Sequence, residues 1–184
     1  AYAQDILDIG ESKIQELEKK TNKQTKPKDL QVHFIGHLQT NKAKKAVILC
    51  DYIQTIDSLK IAKAINQQAI KLNKKQKAYI QINIGDDPLK HGFSTKEVFN
   101  ACAAIKEMKN LNIRGVMTIL PQHVNEKQTK KLYITTIEIS KEIRNTHFPA
   151  CTETSIGMSK DYNLALACGA TNIRIGTKLY GKRQ

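Results

Sequence analysis

Residues 150–177 read Ala-Cys-Thr-Glu-Thr-Ser-Ile-Gly-Met-Ser-Lys-Asp-Tyr-Asn-Leu-Ala-Leu-Ala-Cys-Gly-Ala-Thr-Asn-Ile-Arg-Ile-Gly-Thr. The stretch predicts a strand from Ala150 to Ser155, a polar loop, and a helix near Tyr162 to Cys168 that stops at Gly169. A second strand follows from Thr171 to Ile175, then Gly176 and a short terminal helix. Two strands joined by a helix in so few residues form a parallel pair with the helix as crossover.

The same unit repeats toward the N-terminus. Strands are predicted at Ile6–Ile9, Val32–Ile35, Tyr52–Thr55, Tyr79–Ile84 and Ile113–Ile119, closed by Gly10, Gly36 and Pro121 where the pattern breaks. Helices lie between them. Ser12 with Gln15, and Ser94 with Glu97, have capping-box spacing, and Ser58 is placed to cap a third helix. The apolar sets Ile14/Leu17, Ala43/Ala46/Val47, Ile61/Ala62/Ile65/Ala69 and Val98/Ala101/Cys102/Ile105 each fall on one helix face. A long helix spans about Lys127 to Thr146.

Seven strand–helix units of roughly 20 to 35 residues suit an α/β barrel of the (β/α)8 type or a doubly wound sheet. No GxGxxG or GxxxxGK[ST] follows any strand, which removes the usual nucleotide signatures and favours the barrel. The count is one strand short of eight. The expectation is therefore a TIM-type barrel over residues 1–184 lacking its first βα unit, with exposed first and last strands, as a monomer or weak dimer.

Composition narrows the function. The chain has 184 residues, 40% hydrophobic and 26% charged, and reads as globular. No run reaches a membrane span, and no signal peptide is visible. The net charge is +13, but only four of the 30 basic residues are Arg: Arg114, Arg144, Arg174 and Arg183. The 26 Lys are scattered in short clusters, and Trp is absent, so neither base-reading forks nor stacking platforms are evident. A solvated lysine surface is expected, with no specific nucleic acid and no membrane as partner. A polyanion-binding module is the alternative that the charge keeps open. Cys50, Cys102, Cys151 and Cys168 show no paired spacing and the five His no ligand motif, so neither disulfides nor a metal site are expected and a reducing cytoplasmic compartment is.

In a barrel the chemistry lies at the C-terminal strand ends, and the loops after the last two strands often hold a phosphate. Here those loops are Ser155-Ile156-Gly157-Met158-Ser159-Lys160-Asp161 and Arg174-Ile175-Gly176-Thr177. They combine small residues, hydroxyls and the backbone N–H groups of helix starts, which serve equally as turn chemistry or as an anion cradle. Arg174 interrupts an apolar strand and needs a partner, either a bound cofactor or a carboxylate such as Glu11 or Asp161. His33 reads as a satisfied core histidine.

His33-Phe34-Ile35-Gly36-His37-Leu38-Gln39-Thr40-Asn41-Lys42 resembles the HFIGxLQxNK signature of the pyridoxal-phosphate homeostasis proteins. Gln81-Ile82-Asn83 with Lys90-His91-Gly92, Arg114-Gly115-Val116-Met117, the Ser155–Asp161 segment, and Arg174–Thr177 through Leu179-Tyr180-Gly181-Lys182-Arg183 match the family in order. The resemblance implies a single barrel related to the N-terminal domain of alanine racemases, with pyridoxal 5′-phosphate (PLP) as ligand. It implies a cofactor site made of Ser12, Ser155, Met158, Ser159, Arg174, Gly176 and Thr177, with the phosphate on Ser159, Gly176 and Thr177 and the ring facing Arg174. It further implies no robust catalysis, and a role in buffering PLP or delivering it to PLP-dependent client enzymes. Two departures stand out. The family's Schiff-base lysine segment, VSKxxP, has no counterpart, and its Gly-Glu-Asn reads Gly10-Glu11-Ser12. The expectation is a truncated form that binds PLP weakly or not at all, without a covalent bond unless a lysine lies upstream, or else a non-catalytic barrel remnant.

Overall fold

The computed structural model describes residues 5–21 and 26–181. Seven parallel strands run in sequential order around a nearly closed barrel: β1 (Asp8–Glu11), β2 (Gln31–Phe34), β3 (Tyr52–Ile56), β4 (Gln76–Ile82), β5 (Leu111–Thr118), β6 (Glu153–Met158) and β7 (Asn172–Arg174). The helices between them are α1 (Ile14–Thr21), α2 (Ala43–Leu49), α3 (Leu59–Lys71), α4 (Val98–Lys106), α5 (Glu126–Thr146) and α6 (Tyr162–Ala167), and α7 (Thr177–Tyr180) follows β7. β7 does not pair with β1, so these two strands are edges, and they are the least buried of the seven. Unpaired edges are where a parallel sheet is weakest.

The helices turn their apolar faces to the sheet as the periodicity requires. Ile61, Ala62, Ile65 and Ala69 of α3, and Val98, Ala101, Cys102 and Ile105 of α4, are all buried. Central strands β3 and β4 are buried along almost their whole length, which is why they read as continuous apolar runs. Ser58 caps α3 by accepting the Ile61 N–H at 3.3 Å. The Ser94–Glu97 box closes a turn just before α4, while α5 starts at a box formed by Asn125 and Gln128 that the sequence reading missed. α1 begins two residues after Ser12, with the Lys13 carbonyl accepting from Glu16 and Leu17.

The largest displacement from the sequence reading is in β6, which starts three residues later than predicted. Cys151 and Thr152 are tied back by hydrogen bonds to Phe148 and Ala150, so Ala150–Thr152 is a turn. Ile156, Gly157 and Met158 are consequently strand, not loop, and Lys182 and Arg183 of the last motif lie outside the described residues.

Gly36 shows how tightly the rim is assembled. A Cβ at this position would lie 2.0 Å from the Ser12 carbonyl oxygen, a backbone atom with nowhere to retreat. Gly36→Ala is expected to destabilise the fold by about 2 kcal/mol, in the range of overpacked core positions, measured by denaturant unfolding. An unchanged midpoint would show that the β1 and β2 loops are not in contact.

Candidate functional site: a cross-barrel relay ending in a cationic cradle

The barrel interior is crossed by a chain of hydrogen bonds that links five strands. Arg174 of β7 donates from Nη1 to the Ser155 Oγ at 2.7 Å and to the Ser155 carbonyl at 2.8 Å, and from Nη2 to the Thr118 carbonyl at 2.8 Å. Ser155 of β6 donates to Gln54 Oε1 of β3 at 2.7 Å. Gln54 Nε2 lies 2.9 Å from His33 Nδ1 of β2, and His33 Nε2 lies 2.9 Å from Asp8 Oδ1 of β1. One proton arrangement satisfies every link: each group donates toward Asp8, and His33 is neutral with its proton on Nε2. An imidazolium would place a second N–H against the Gln54 amide N–H.

Electrostatics agree with this arrangement. Burial lowers the His33 pKa below its ordinary 6.5, outweighing the attraction of Asp8. Burial also lowers the Arg174 pKa to about 10, so it stays charged at neutral pH. Arg174 is half-buried as a residue, its guanidinium being the more enclosed end. Its three acceptors are neutral oxygens. Neither carboxylate that the sequence offered takes it. Glu11 is bound by Lys20, and Asp161 accepts from the Tyr133 hydroxyl at 2.8 Å and the Met158 N–H at 2.7 Å. Asp161 acts on Arg174 through space without a hydrogen bond, so every hydrogen-bond acceptor of the guanidinium is neutral and a donor face of the cation is left for an anion.

The loops after β6 and β7 meet beside it. Tyr133 on α5 holds Asp161, and Asp161 in turn fixes the Met158–Asp161 turn. Ser159 Oγ accepts from the Gly176 N–H at 3.1 Å and the Lys178 N–H at 3.4 Å, clamping the two loops together and leaving its own proton to donate. The Thr177 N–H has no acceptor among the described residues. Gly176 is not a glycine for the protein's own sake: its φ is −118°, and a Cβ would meet no atom within 4 Å. Open space, a free hydroxyl proton, a free N–H and a nearby guanidinium fit a phosphate-like anion.

Six of the seven sequence-derived residues are therefore in one region, with divided tasks. Ser155 is fully buried and holds Arg174; Met158 is exposed at the end of β6; Ser159, Gly176 and Thr177 form the cradle. Ser12 stands apart at the far edge strand. It lines a cavity of about 190 Å³ with His37, Gln39 and Lys42. Gln54 and Thr118 were missed as supporting residues, while His33 is the satisfied core histidine that the sequence indicated. The one signal for Gln54 was an amide inside an otherwise buried strand.

The alanine racemase N-terminal domain model matches residues 1–184. The pyridoxal phosphate homeostasis protein of Synechocystis sp. is 38% identical over 183 residues, covering all of this chain and 84% of the relative. The chain belongs to the pyridoxal phosphate homeostasis protein family. Its structural neighbours include PipY of Synechococcus elongatus. Without PLP, PipY is 34% identical with a TM-score of 0.88, and with PLP bound 33% with a TM-score of 0.85. Both matches cover 94% of this chain and 80% of PipY.

The buried neutral His33 gives this family member a pH signature. Between its depressed folded pKa and 6.5 the unfolded chain binds a proton that the folded chain does not. Stability contributed by His33 is thus complete above pH 6.5 and is lost on acidification, at no more than about 1.4 kcal/mol per pH unit. Denaturant midpoints between pH 5 and 8 should show the slope, and His33→Gln should flatten it. An equal slope in the variant would remove His33 as its source.

Proposed function

We propose that this chain binds PLP at the β6–β7 rim and holds it in reserve for PLP-dependent client enzymes, as a carrier and not a catalyst. The observation that carries the reading is Arg174: a buried cation whose hydrogen bonds go only to neutral oxygens, beside an open cradle of unspent donors. When bound, PLP supplies a reactive aldehyde and a phosphate carrying close to two negative charges. Ser159 Oγ–H and the Thr177 N–H would donate to that phosphate, Gly176 would leave room for it, and Arg174 would face the ring. Ser155 keeps Arg174 in place, and Met158 lies exposed beside the ring.

The likeness to PLP-bound PipY supports the ligand, and relatives named for homeostasis, not for a reaction, support the carrier role. Four unpaired cysteines, three of them buried, support a reducing compartment such as the cytoplasm. No helix among the described residues is long and apolar enough to cross a membrane.

Equilibrium dialysis against PLP tests the proposal. Binding is expected in the parent chain and at least ~10-fold weaker in Arg174→Gln, the scale of a charged hydrogen bond. Gly176→Ala adds a methyl to open space, so it should weaken PLP binding while leaving the unfolding midpoint unchanged. Absence of binding in the parent chain, or undiminished binding in both variants, would overturn the reading.

A further inference from the structure

A second cluster occupies the opposite arc of the same rim. His37 follows β2, Asp57 follows β3 and His91 lies in the loop after β4. They are 20 and 34 residues apart, so no spacing motif reveals them, yet one ligand atom from each lies within 4.8 Å of the others. His37 Nδ1 is 2.9 Å and His91 Nδ1 3.9 Å from the same Asp57 Oδ2. The two rings stack, centroids 3.8 Å apart and planes 13° from parallel. The Asp57 side chain is 5% exposed, and its carboxylate meets no Lys or Arg among the described residues. A buried carboxylate needs a cation or several donors.

We propose that His37, Asp57 and His91 form a binding site for a divalent transition-metal cation, with Zn²⁺ as the representative ion. Two imidazoles and a carboxylate are a borderline nitrogen–oxygen set suited to such metals, and three protein ligands leave a position for water. The Nδ1 edges of both rings already converge on one carboxylate oxygen. Each imidazole lone pair lies in its ring plane, so coordination requires the two rings to turn out of their stack until both Nδ1 atoms and the carboxylate reach metal–ligand distances of about 2.0–2.2 Å. His37 and His91 are each about half exposed, which opens an entry path.

The backbone fixes all three. His37 follows Gly36, which is pressed against Ser12. His91 precedes Gly92, whose φ is +126° and whose Cβ would lie 2.6 Å from the Asn83 nitrogen. Residues 91–93 are thereby laid onto β4. The Phe93 N–H donates to the Gln81 carbonyl and the Asn83 N–H to the Phe93 carbonyl, both at 2.9 Å. Gln81 Nε2 donates to the His91 carbonyl at 3.0 Å. A cavity of about 150 Å³ adjoins the cluster, lined by His37, His91, Thr55 and Gln81 among others. Thr55 Oγ1 and Gln81 Oε1 are buried there without a partner among the described residues. These oxygens belong to residues that border the same cavity as the two imidazoles, where ligands of a metal's outer shell are found.

This site is separate from the β6–β7 cradle, and its test does not involve PLP. The chelator-treated chain is titrated with Zn²⁺ by calorimetry and with Co²⁺ by visible absorption. One equivalent should bind, raise the thermal unfolding midpoint reversibly, and give Co²⁺ bands without thiolate charge transfer. His37→Gln and His91→Gln change half-exposed side chains and should stay folded, and each should weaken binding at least ~10-fold, as even outer-shell losses do. Asp57→Asn should do the same, and His123→Gln, at an exposed histidine elsewhere, should not. No saturable binding, equal binding in His37→Gln and His91→Gln, or a thiolate signature would each overturn the proposal.

Discussion

The Ser155 hydroxyl is the joint on which this barrel turns. It accepts from Arg174 and donates to Gln54, and so joins two halves of a relay that starts on one edge strand and ends on the other. A parallel barrel ordinarily closes by pairing its first and last strands and fills its interior with apolar layers. Here β1 and β7 do not pair. The interior links Asp8–His33–Gln54–Ser155–Arg174 tie them instead, through β2, β3 and β6. Such a network is stable only when each member is satisfied, because a half-paired polar group in a low-dielectric interior is costlier than an apolar one. With every donor aimed from the guanidinium toward the carboxylate, no member is left over.

The same relay fixes the guanidinium beside the candidate site. Three hydrogen bonds hold the guanidinium, so little side-chain entropy remains to be lost on binding. Because the three acceptors are neutral, fixing the group has not neutralised it. Rigidity and unspent charge are usually in competition, since the commonest way to hold an arginine is a carboxylate. Backbone carbonyls and a serine avoid that trade.

The strand–helix alternation made the architecture legible, since each strand is a short β-branched run and each helix carries a clean apolar face. The strand number and parallel order follow from it directly. The position of β6 did not follow, because Ala150–Thr152 has strand-like composition and only the hydrogen bonds to Phe148 and Ala150 make it a turn. The cradle was legible because its donors are local in sequence. The relay was not: Gln54 and Ser155 are 101 residues apart, and an amide in a buried strand does not announce its partner. For Arg174, charge arithmetic suggested Glu11 or Asp161, and both were claimed by nearer partners, Lys20 and Tyr133.

The uneven basic composition follows from the same physics. An ammonium is strongly hydrated and suits a surface, and the lysines are accordingly not among the buried residues. Lys74 is the partial exception, half-buried where its Nζ donates to the Val47 and Cys50 carbonyls at the end of α2, at 2.6 and 2.8 Å. Arginine is spent differently. Arg114 reaches the Glu153 carboxylate, which also accepts from the buried Tyr79 hydroxyl, and Arg174 organises the opposite end of the barrel. Two of the three described arginines thus serve polar layers that link strands, where a planar fork can bridge several acceptors at fixed angles. A net charge of +13 carried mainly by lysine describes the solvated exterior, while the guanidinium of Arg174 is the charge that the barrel interior holds in place.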